Sequence, residues 1–465
     1  MIHRFRQYFS IRKAVFIFGE AVLIYFAVAV ASFFLIGEEI DLVVLLESTW
    51  WKILLVTLVA QLSLYFDDLY GVQPIGNMVE LATRLIQSIG ITSIVLAVIY
   101  FLWPEAMIGR WIFFVSILFV IFFLVSWRFL YAYAVKKKLF IEKTMIVGDG
   151  ELAGDLLKEI RSRRDISYDV RLVIGLENGD YPQKQLEGVP IRYGFDKLCD
   201  LAEAEQVSSI IVALDQKRGI MPYKELLNCK VRGFSIIDGE SFYERITGKV
   251  LVEKINPSWL IFSDGFVKSP VAKLIKRLVG FALSSIMLVL LSPLILVVAV
   301  AIKLESKGPV LFSQERVGED GEIFSMYKFR SMKADAEAES GPVWAEEDDP
   351  RITRVGRVIR KLRIDELPQL WNVLKGDMSF VGPRPERFFF VETLKNKIPY
   401  YKERFSVKPG ITGWAQVMYS YGATEKDALE KLKYDLYYIK NMSLVMDLMV
   451  IFHTVKIVLL GRGSR

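Results

Sequence analysis

Residues 278–304 read LVGFALSSIMLVLLSPLILVVAVAIKL, an apolar run broken near its middle by Ser292-Pro293. Its length suits a helix crossing ~30 Å of hydrocarbon. Proline removes a backbone hydrogen bond and kinks or breaks such a helix, and the serine hydroxyl beside it can satisfy a freed carbonyl. Lys273, Lys276 and Arg277 precede the run and Lys303 and Lys307 follow it, so the cation excess that marks a cytosolic flank gives no direction. A re-entrant helix over 274–304, entering and leaving on one face, resolves both features, with a kinked fifth span as the alternative. If the run crossed, the chain beyond Leu304 would lie outside the cell, away from nucleotides.

Upstream, Ala14 to Ile36, Trp50 to Phe66, Leu85 to Trp103 and Trp111 to Val135 are also long enough to span. Arg4, Arg6, Arg12 and Lys13 flank the first run, Lys136, Lys137 and Lys138 end the fourth, and the first loop offers only Glu38, Glu39, Asp41 and Glu47. Both ends of a four-helix bundle over 1–139 are therefore expected in the cytosol. A cleaved signal peptide fits the first run less well, given its length and the three runs that follow. With 53% apolar residues in 465, the chain is too apolar for a purely soluble protein and too long for one ordinary domain.

From Thr144 the pattern turns soluble: strand-like Thr144 to Gly148, Val170 to Ile174, Ser209 to Ala213 and Phe234 to Ile237, with a helical Glu151 to Arg161 after the first. This predicts a Rossmann-like α/β domain over 140–254. Gly148, Gly150 and Gly154 stand where strand meets helix, but the last spacing is one residue longer than the dinucleotide fingerprint, and no acidic residue clearly ends the second strand. A tight turn in a docking or regulatory domain is the favoured reading. Cys199 and Cys229 fall in segments read as cytosolic, so reduced thiols and no disulfide frame are expected. The only histidines, His3 and His453, argue against a Ser-His-Asp triad or a His-rich zinc site.

Chemistry concentrates after Leu304. Arg351, Arg354, Arg357, Arg360, Lys361 and Arg363 crowd one segment that runs into Asp365-Glu366-Leu-Pro-Gln-Leu-Trp-Asn. A cationic amphipathic helix on anionic lipid is one account of the cluster. The net charge of +6 suits anionic lipid, phosphorylated substrates and nucleic acid alike, but nucleic acid is disfavoured because no base-reading motif accompanies the cluster. Asp365 suits a helix N-cap followed by Pro368, a place where free N–H groups also favour anions. Adjacent carboxylates fit phosphoryl chemistry, one attacking phosphorus while its neighbour holds Mg²⁺, better than glycosidase chemistry, whose carboxylates flank a sugar.

Five motifs in order, Gln314 to Gly318, Lys328 to Met332, Asp365 to Gln369, Gly382 to Glu386 and Pro409 to Trp414, resemble those of the monotopic phosphoglycosyl transferases, the bacterial sugar transferase family. The resemblance runs from about Lys268 to Arg465, and the spans with an α/β domain resemble the family's large members. It departs at Gly280, where members often carry an acidic residue, and at Glu305 to Pro309, an Asp-Ser-Pro-Gly-Pro-like turn in the family. The resemblance implies a mainly helical α/β catalytic domain over 255–465, with Asp365 as nucleophile and Glu366 as Mg²⁺ ligand. It implies Arg360 and Arg384 as phosphate clamps, Lys328 and Arg330 near the diphosphate, and Arg404, Thr412 and Trp414 near the nucleotide. The implied reaction moves a sugar-1-phosphate from a UDP-hexose to undecaprenyl phosphate, releasing UMP and starting an exopolysaccharide or other surface glycan. The implied setting is the bacterial cytoplasmic membrane, with the catalytic domain cytosolic and the protein a homodimer.

Two rivals remain. A membrane-anchored nucleotide-sugar dehydratase or epimerase shares the early layout but needs a second dinucleotide fold, and after Leu278 there is no glycine-rich loop or Tyr-x-x-x-Lys pair. A non-enzymatic scaffold or sensor would use the α/β domain for a ligand and the basic segment for lipid. The stretch Ser443 to Leu460, interrupted by Asp447, His453 and Lys456, predicts an interfacial helix.

Overall fold

The computed structural model describes residues 11–36, 42–70, 78–137, 141–163, 168–176, 185–215, 217, 219–254, 266, 269–333, 351–419, 422 and 424–459. The flanking Arg4, Arg6 and Lys138 and the loop residues Glu38, Glu39 and Asp41 lie outside them. The chain divides into two compact units, Met1–Ile246 and Thr247–Arg465.

The first unit begins with helices α1 (Ile11–Ile36), α2 (Leu42–Phe66), α3 (Met78–Leu102) and α4 (Arg110–Lys136). Each is long and apolar enough to cross a membrane, over Ala14–Leu35, Thr49–Phe66, Glu80–Leu102 and Trp111–Ala134. Phe18, Phe101, Trp111 and Leu118 point outward, as suits a bundle whose solvent is lipid. Inside, Glu20 of α1 pairs with Arg128 of α4 at 2.8 Å. A charge in that place is costly unless partnered.

Strands β1 (Glu142–Val147), β2 (Tyr168–Gly175), β3 (Gln185–Leu186), β4 (Val189–Tyr193), β5 (Ser209–Val212) and β6 (Ser235–Asp238) follow, interleaved with helices α5 (Glu151–Ser162), α6 (Leu198–Ala204), α7 (Tyr223–Val231) and α8 (Gly239–Thr247). The sheet order is β3-β4-β2-β1-β5-β6, parallel except for β3 against β4. β1 is central and its Met145, Ile146 and Val147 are fully buried, the continuous apolar pattern of a strand covered on both faces. The expectation of free thiols is corrected here: Cys199 of α6 and Cys229 of α7 form a disulfide, their Cα atoms 5.2 Å apart. The two helices pack on each other over the same core, which a separation of 30 residues in sequence does not disclose.

The second unit opens with a strap, residues 247–254, that the sequence reading assigns to the α/β domain. Val250 N–H donates to Lys433 O (3.1 Å), Gly248 O accepts the Trp414 indole N–H (2.8 Å), and Glu253 pairs with Lys433 (2.7 Å). Val250 and Val252 are buried, so the strap belongs with the unit it covers. Helices α9 (Pro270–Leu290) and α10 (Ser292–Glu305) meet at a 63° bend, where the Ser292 hydroxyl donates to Val289 O at 2.8 Å. Then come the antiparallel hairpin β7 (Leu311–Val317) and β8 (Ile323–Phe329), α11 (Arg354–Lys361), α12 (Gln369–Lys375), β9 (Ser379–Val381), α13 (Phe388–Lys397), β10 (Gly410–Thr412), α14 (Trp414–Met418), α15 (Glu425–Asn441) and α16 (Leu444–Leu459).

Candidate active site

Asp365 and Glu366 lie in a short 3₁₀ turn, Ile364–Glu366, rather than at a helix cap. The helix α12 starts later, at Gln369, with Pro368 before it. Arg363 enters the turn in the left-handed region (φ 58°, ψ 16°), a conformation costly for a side chain this large and one that sharpens the reversal after α11. Thr353 caps α11 through Gly356 N–H (2.9 Å), and the Glu305 carboxylate accepts Arg354 N–H (2.7 Å), so this departure from the family turn has a task in the fold.

Three cations face Glu366 Oε1: Arg384 at 2.7 Å, Lys328 at 3.2 Å and Arg363 at 3.6 Å. Burial alone would raise this carboxyl, but Arg384, Lys328 and Arg363 outweigh it and hold Glu366 well below the usual range. Asp365 is driven the other way, upward, by burial first and then by the Glu366 charge, against Lys328, Arg363 and Arg384. Burial lowers the Lys328 ammonium, with Arg384 and Arg316 adding to the fall. Asp365 Oδ1 is buried and has no hydrogen-bond partner. Such an orphan is rare and expensive.

The surroundings explain how the turn is held. Fully buried Asn372 of α12 accepts Tyr327 N–H (3.0 Å) and donates to Ser325 O (2.7 Å), fixing β8, and hence Lys328, against the carboxylates. Arg277 of α9 donates to the Val373 and Leu374 carbonyls at the end of α12. Lys276 beside it bonds Asp447 and the Tyr438 hydroxyl, both at 2.6 Å. Gly382 and Gly410 let β9 and β10 run in contact: a Cβ on Gly410 would stand 2.1 Å from Gly382 N. That contact lays the motif bearing Arg384 along the Pro409 to Trp414 turn, with Gly382 N–H donating to Thr412 O (2.8 Å).

Four of the residues expected near substrate phosphates divide evenly. Lys328 and Arg384 meet the carboxylates. Arg330 does not: it is buried with its guanidinium on Ser306 O and Lys307 O (both 2.9 Å), closing the end of α10. Arg360 makes no ion pair with either carboxylate among the described residues, whereas Arg363, three residues on, lies 3.6 Å from Glu366 Oε1. The three residues expected near the nucleotide face inward. Arg404 pairs with Asp435 (2.8 Å) and bonds Tyr401 (2.7 Å), Thr412 bonds Thr454 (2.6 Å), and Trp414 stacks on Tyr437. Burial lifts the Asp435 carboxyl to about 6 despite the Arg404 charge. Sequence reasoning missed Arg363, Asn372 and Arg277. Only Arg363 carried a signal, three residues before Glu366.

A profile described as bacterial sugar transferase matches residues 271–461, and one described as CoA-binding domain matches residues 66–219. The chain is 44% identical over 176 residues to the exopolysaccharide production protein PSS of Rhizobium leguminosarum, a match covering 36% of this chain and 86% of that one. The chain belongs to the bacterial sugar transferase family. It is also 45% identical over 240 residues to a UDP-N-acetylgalactosamine-undecaprenyl-phosphate N-acetylgalactosaminephosphotransferase of Aeromonas hydrophila, covering 52% of this chain and 56% of the relative. A UDP-glucose:undecaprenyl-phosphate glucose-1-phosphate transferase of Escherichia coli is 44% identical over 191 residues, 40% of each chain. These last two alignments span about half or less of the relatives' length. Within the stretch the profile matches, the Asp365–Glu366 pair stands among three cations, Arg384, Lys328 and Arg363.

Among the described residues no three His, Cys, Asp or Glu side chains gather as a metal site. Magnesium needs no such cage, since it binds through one or two carboxylates, waters and substrate phosphates. The unpartnered Asp365 Oδ1 beside an ionised Glu366 fits that donor set.

Proposed function

We propose that this protein transfers a sugar-1-phosphate from a UDP-hexose to undecaprenyl phosphate, the first step in building an exopolysaccharide or other surface glycan. The observation that carries the reading is the buried, unpartnered Asp365 Oδ1 beside a carboxylate held ionised by Arg384, Lys328 and Arg363. A carboxylate oxygen left without a hydrogen bond is free to attack, and the three cations would receive the negative charge of a diphosphate. In the first half-reaction an Asp365 oxygen attacks the phosphorus bearing the sugar, the bond to the uridylyl phosphate breaks, and UMP leaves with the electron pair. In the second, a polyprenyl phosphate oxygen attacks that phosphorus, frees Asp365 and yields polyprenyl diphosphate sugar. The anomeric bond is untouched throughout. Mg²⁺, held by Glu366 with Asp365 beside it, would supply charge neutralisation between nucleophile and diphosphate. Arg384 and Lys328 orient the phosphates. Arg404, Thr412 and Trp414 act by holding the β9–β10 platform.

The α9–α10 pair is read as re-entrant. Its support is that both ends are fastened to one compact unit: Lys276 and Arg277 to α15, α16 and α12, and the α10 residues Val298 and Ile302 to Phe329 and Ile359. A crossing would carry one end to the far side of a ~30 Å barrier. The catalytic unit then lies on the cytosolic face with its nucleotide substrate.

Intact-protein mass spectrometry with nucleotide sugar alone tests the reading. A hexose-phosphate adduct mapping to the Asp365 peptide is expected, together with ping-pong kinetics. UMP release that requires both substrates, without an adduct, would overturn the covalent route.

A further inference from the structure

The α/β part of the first unit matches a CoA-binding profile, and its sheet has the layout in which such ligands bind. β1 and β5 are neighbours from which the chain runs outward in opposite directions, so the crevice past their carboxyl ends is the topological switch point where a diphosphate would meet the α5 N-terminus. That place is already filled. Asp215, just after β5, accepts Glu151 N–H on Oδ2 (2.9 Å) and Leu152 N–H on Oδ1 (3.1 Å), so two first-turn donors of α5 are spent on the chain's own bidentate anion.

The glycines carry the same message. Gly148 (φ 122°) makes the tight turn, and a Cβ there would stand 2.2 Å from Ala213 O, so the loops after β1 and β5 already touch. In a nucleotide site the second glycine opens room for the diphosphate. Here a Cβ on Gly150 would fall 1.9 Å from Asp215 Oδ2: the room is there, and the carboxylate uses it. The third glycine normally allows close helix–strand packing, yet a Cβ on Gly154 would meet nothing within 4 Å. At the end of β2, where an adenosine ribose would lie, a Cβ on Gly175 would meet Asp149 Oδ2 at 2.6 Å and the Tyr193 ring at 2.7 Å. Both halves of the ligand seat hold side chains of this protein.

We propose that the α/β domain binds neither coenzyme A nor a dinucleotide, because Asp215 occupies the diphosphate seat and Asp149 with Tyr193 the ribose seat. The domain keeps the layout of a nucleotide-binding fold and uses the helix N-terminus for an internal clasp between the β1 and β5 loops. A bound coenzyme would have to expel a carboxylate from two hydrogen bonds and bring a second anion beside it.

Amide hydrogen exchange of the full-length chain in detergent decides the matter, read on the peptide that contains Glu151 and Leu152. Millimolar coenzyme A or NAD should leave its exchange unchanged, whereas Asp215→Ala should speed it about five- to tenfold, as loss of a cap does. Slower exchange of this peptide in wild type on adding coenzyme A would overturn the proposal. So would an Asp215→Ala variant that exchanges at the wild-type rate, since the carboxylate would then not be the partner of these amides.

Discussion

Two aspartates at strand-and-turn positions divide the molecule's work. Asp215 in the first unit is exposed and gives both oxygens to backbone N–H groups. Asp365 in the second is buried, leaves Oδ1 without a partner, and has its carboxyl pushed upward by burial and by Glu366. The same side chain has both oxygens satisfied in one place and one oxygen left unsatisfied in the other, where we propose that it reacts. The cost of withholding them, ~1–3 kcal/mol for a buried orphan, is carried by the packing that Asn372, Arg277 and Arg330 secure.

Exchanging carboxylate for carboxamide at each place should give the largest contrast. Asp365→Asn is expected to cut UMP release about a thousandfold or more and to abolish the adduct, with the melting temperature held within ~2 °C. Asp215→Asn should leave turnover unchanged. Comparable losses from both, measured in one detergent preparation, would break the comparison.

The two arginines Arg384 and Arg330 sharpen it next. Arg384→Ala should lower turnover about a hundredfold, the usual cost of a donor aimed at developing negative charge, with little effect on stability. Arg330→Ala should do the reverse, freeing the Ser306 and Lys307 carbonyls and costing ~1–3 kcal/mol of stability. Asn372→Ala should cost a similar ~1–3 kcal/mol, a fall of roughly 2–4 °C per kcal/mol in a unit of this size, because Tyr327 N–H and Ser325 O would lose their partner.

Periodic patterns made much of this architecture legible. The four long apolar helices, the strands β1, β2, β5 and β6, and the bend at Ser292-Pro293 follow from hydropathy and proline chemistry, which act locally. Asp365, Glu366, Lys328 and Arg384 were legible through ordered motifs. The rest depends on contacts that no spacing encodes. Arg330 and Arg404 have the residue type of a phosphate clamp, but tertiary packing turns the first onto α10 and the second onto Asp435. The paired cysteines, the 247–254 strap and the Asn372 bridge join segments far apart in the chain. Asp365 looked like a cap because Pro368 follows it, and the left-handed Arg363, which delays the helix to Gln369, has no sequence signature at a non-glycine residue.

A third aspartate predicts the smallest effect and completes the series. Asp427 closes a capping box at the start of α15, accepting the Thr424 N–H (2.8 Å) and hydroxyl, and it also accepts the Tyr419 hydroxyl (2.8 Å). These bonds, those from Thr424 foremost, hold its carboxyl down to about 2 from an ordinary 3.8. A carboxyl depressed in the folded state adds stability above its unfolded value and loses it as pH falls through its folded value. The Asp427 contribution should thus be complete above about pH 4 and gone near pH 2. The site is open to solvent, so screening keeps the effect below ~1 kcal/mol. Asn at this position still accepts hydrogen bonds but cannot titrate. Asp427→Asn should accordingly flatten the melting-temperature profile between pH 4 and 2 while changing it by no more than a degree or two at pH 7. An unaltered acid limb in the variant would show that this carboxylate is not held by its hydrogen bonds, and would remove the satisfied end of the series against which Asp365 stands out.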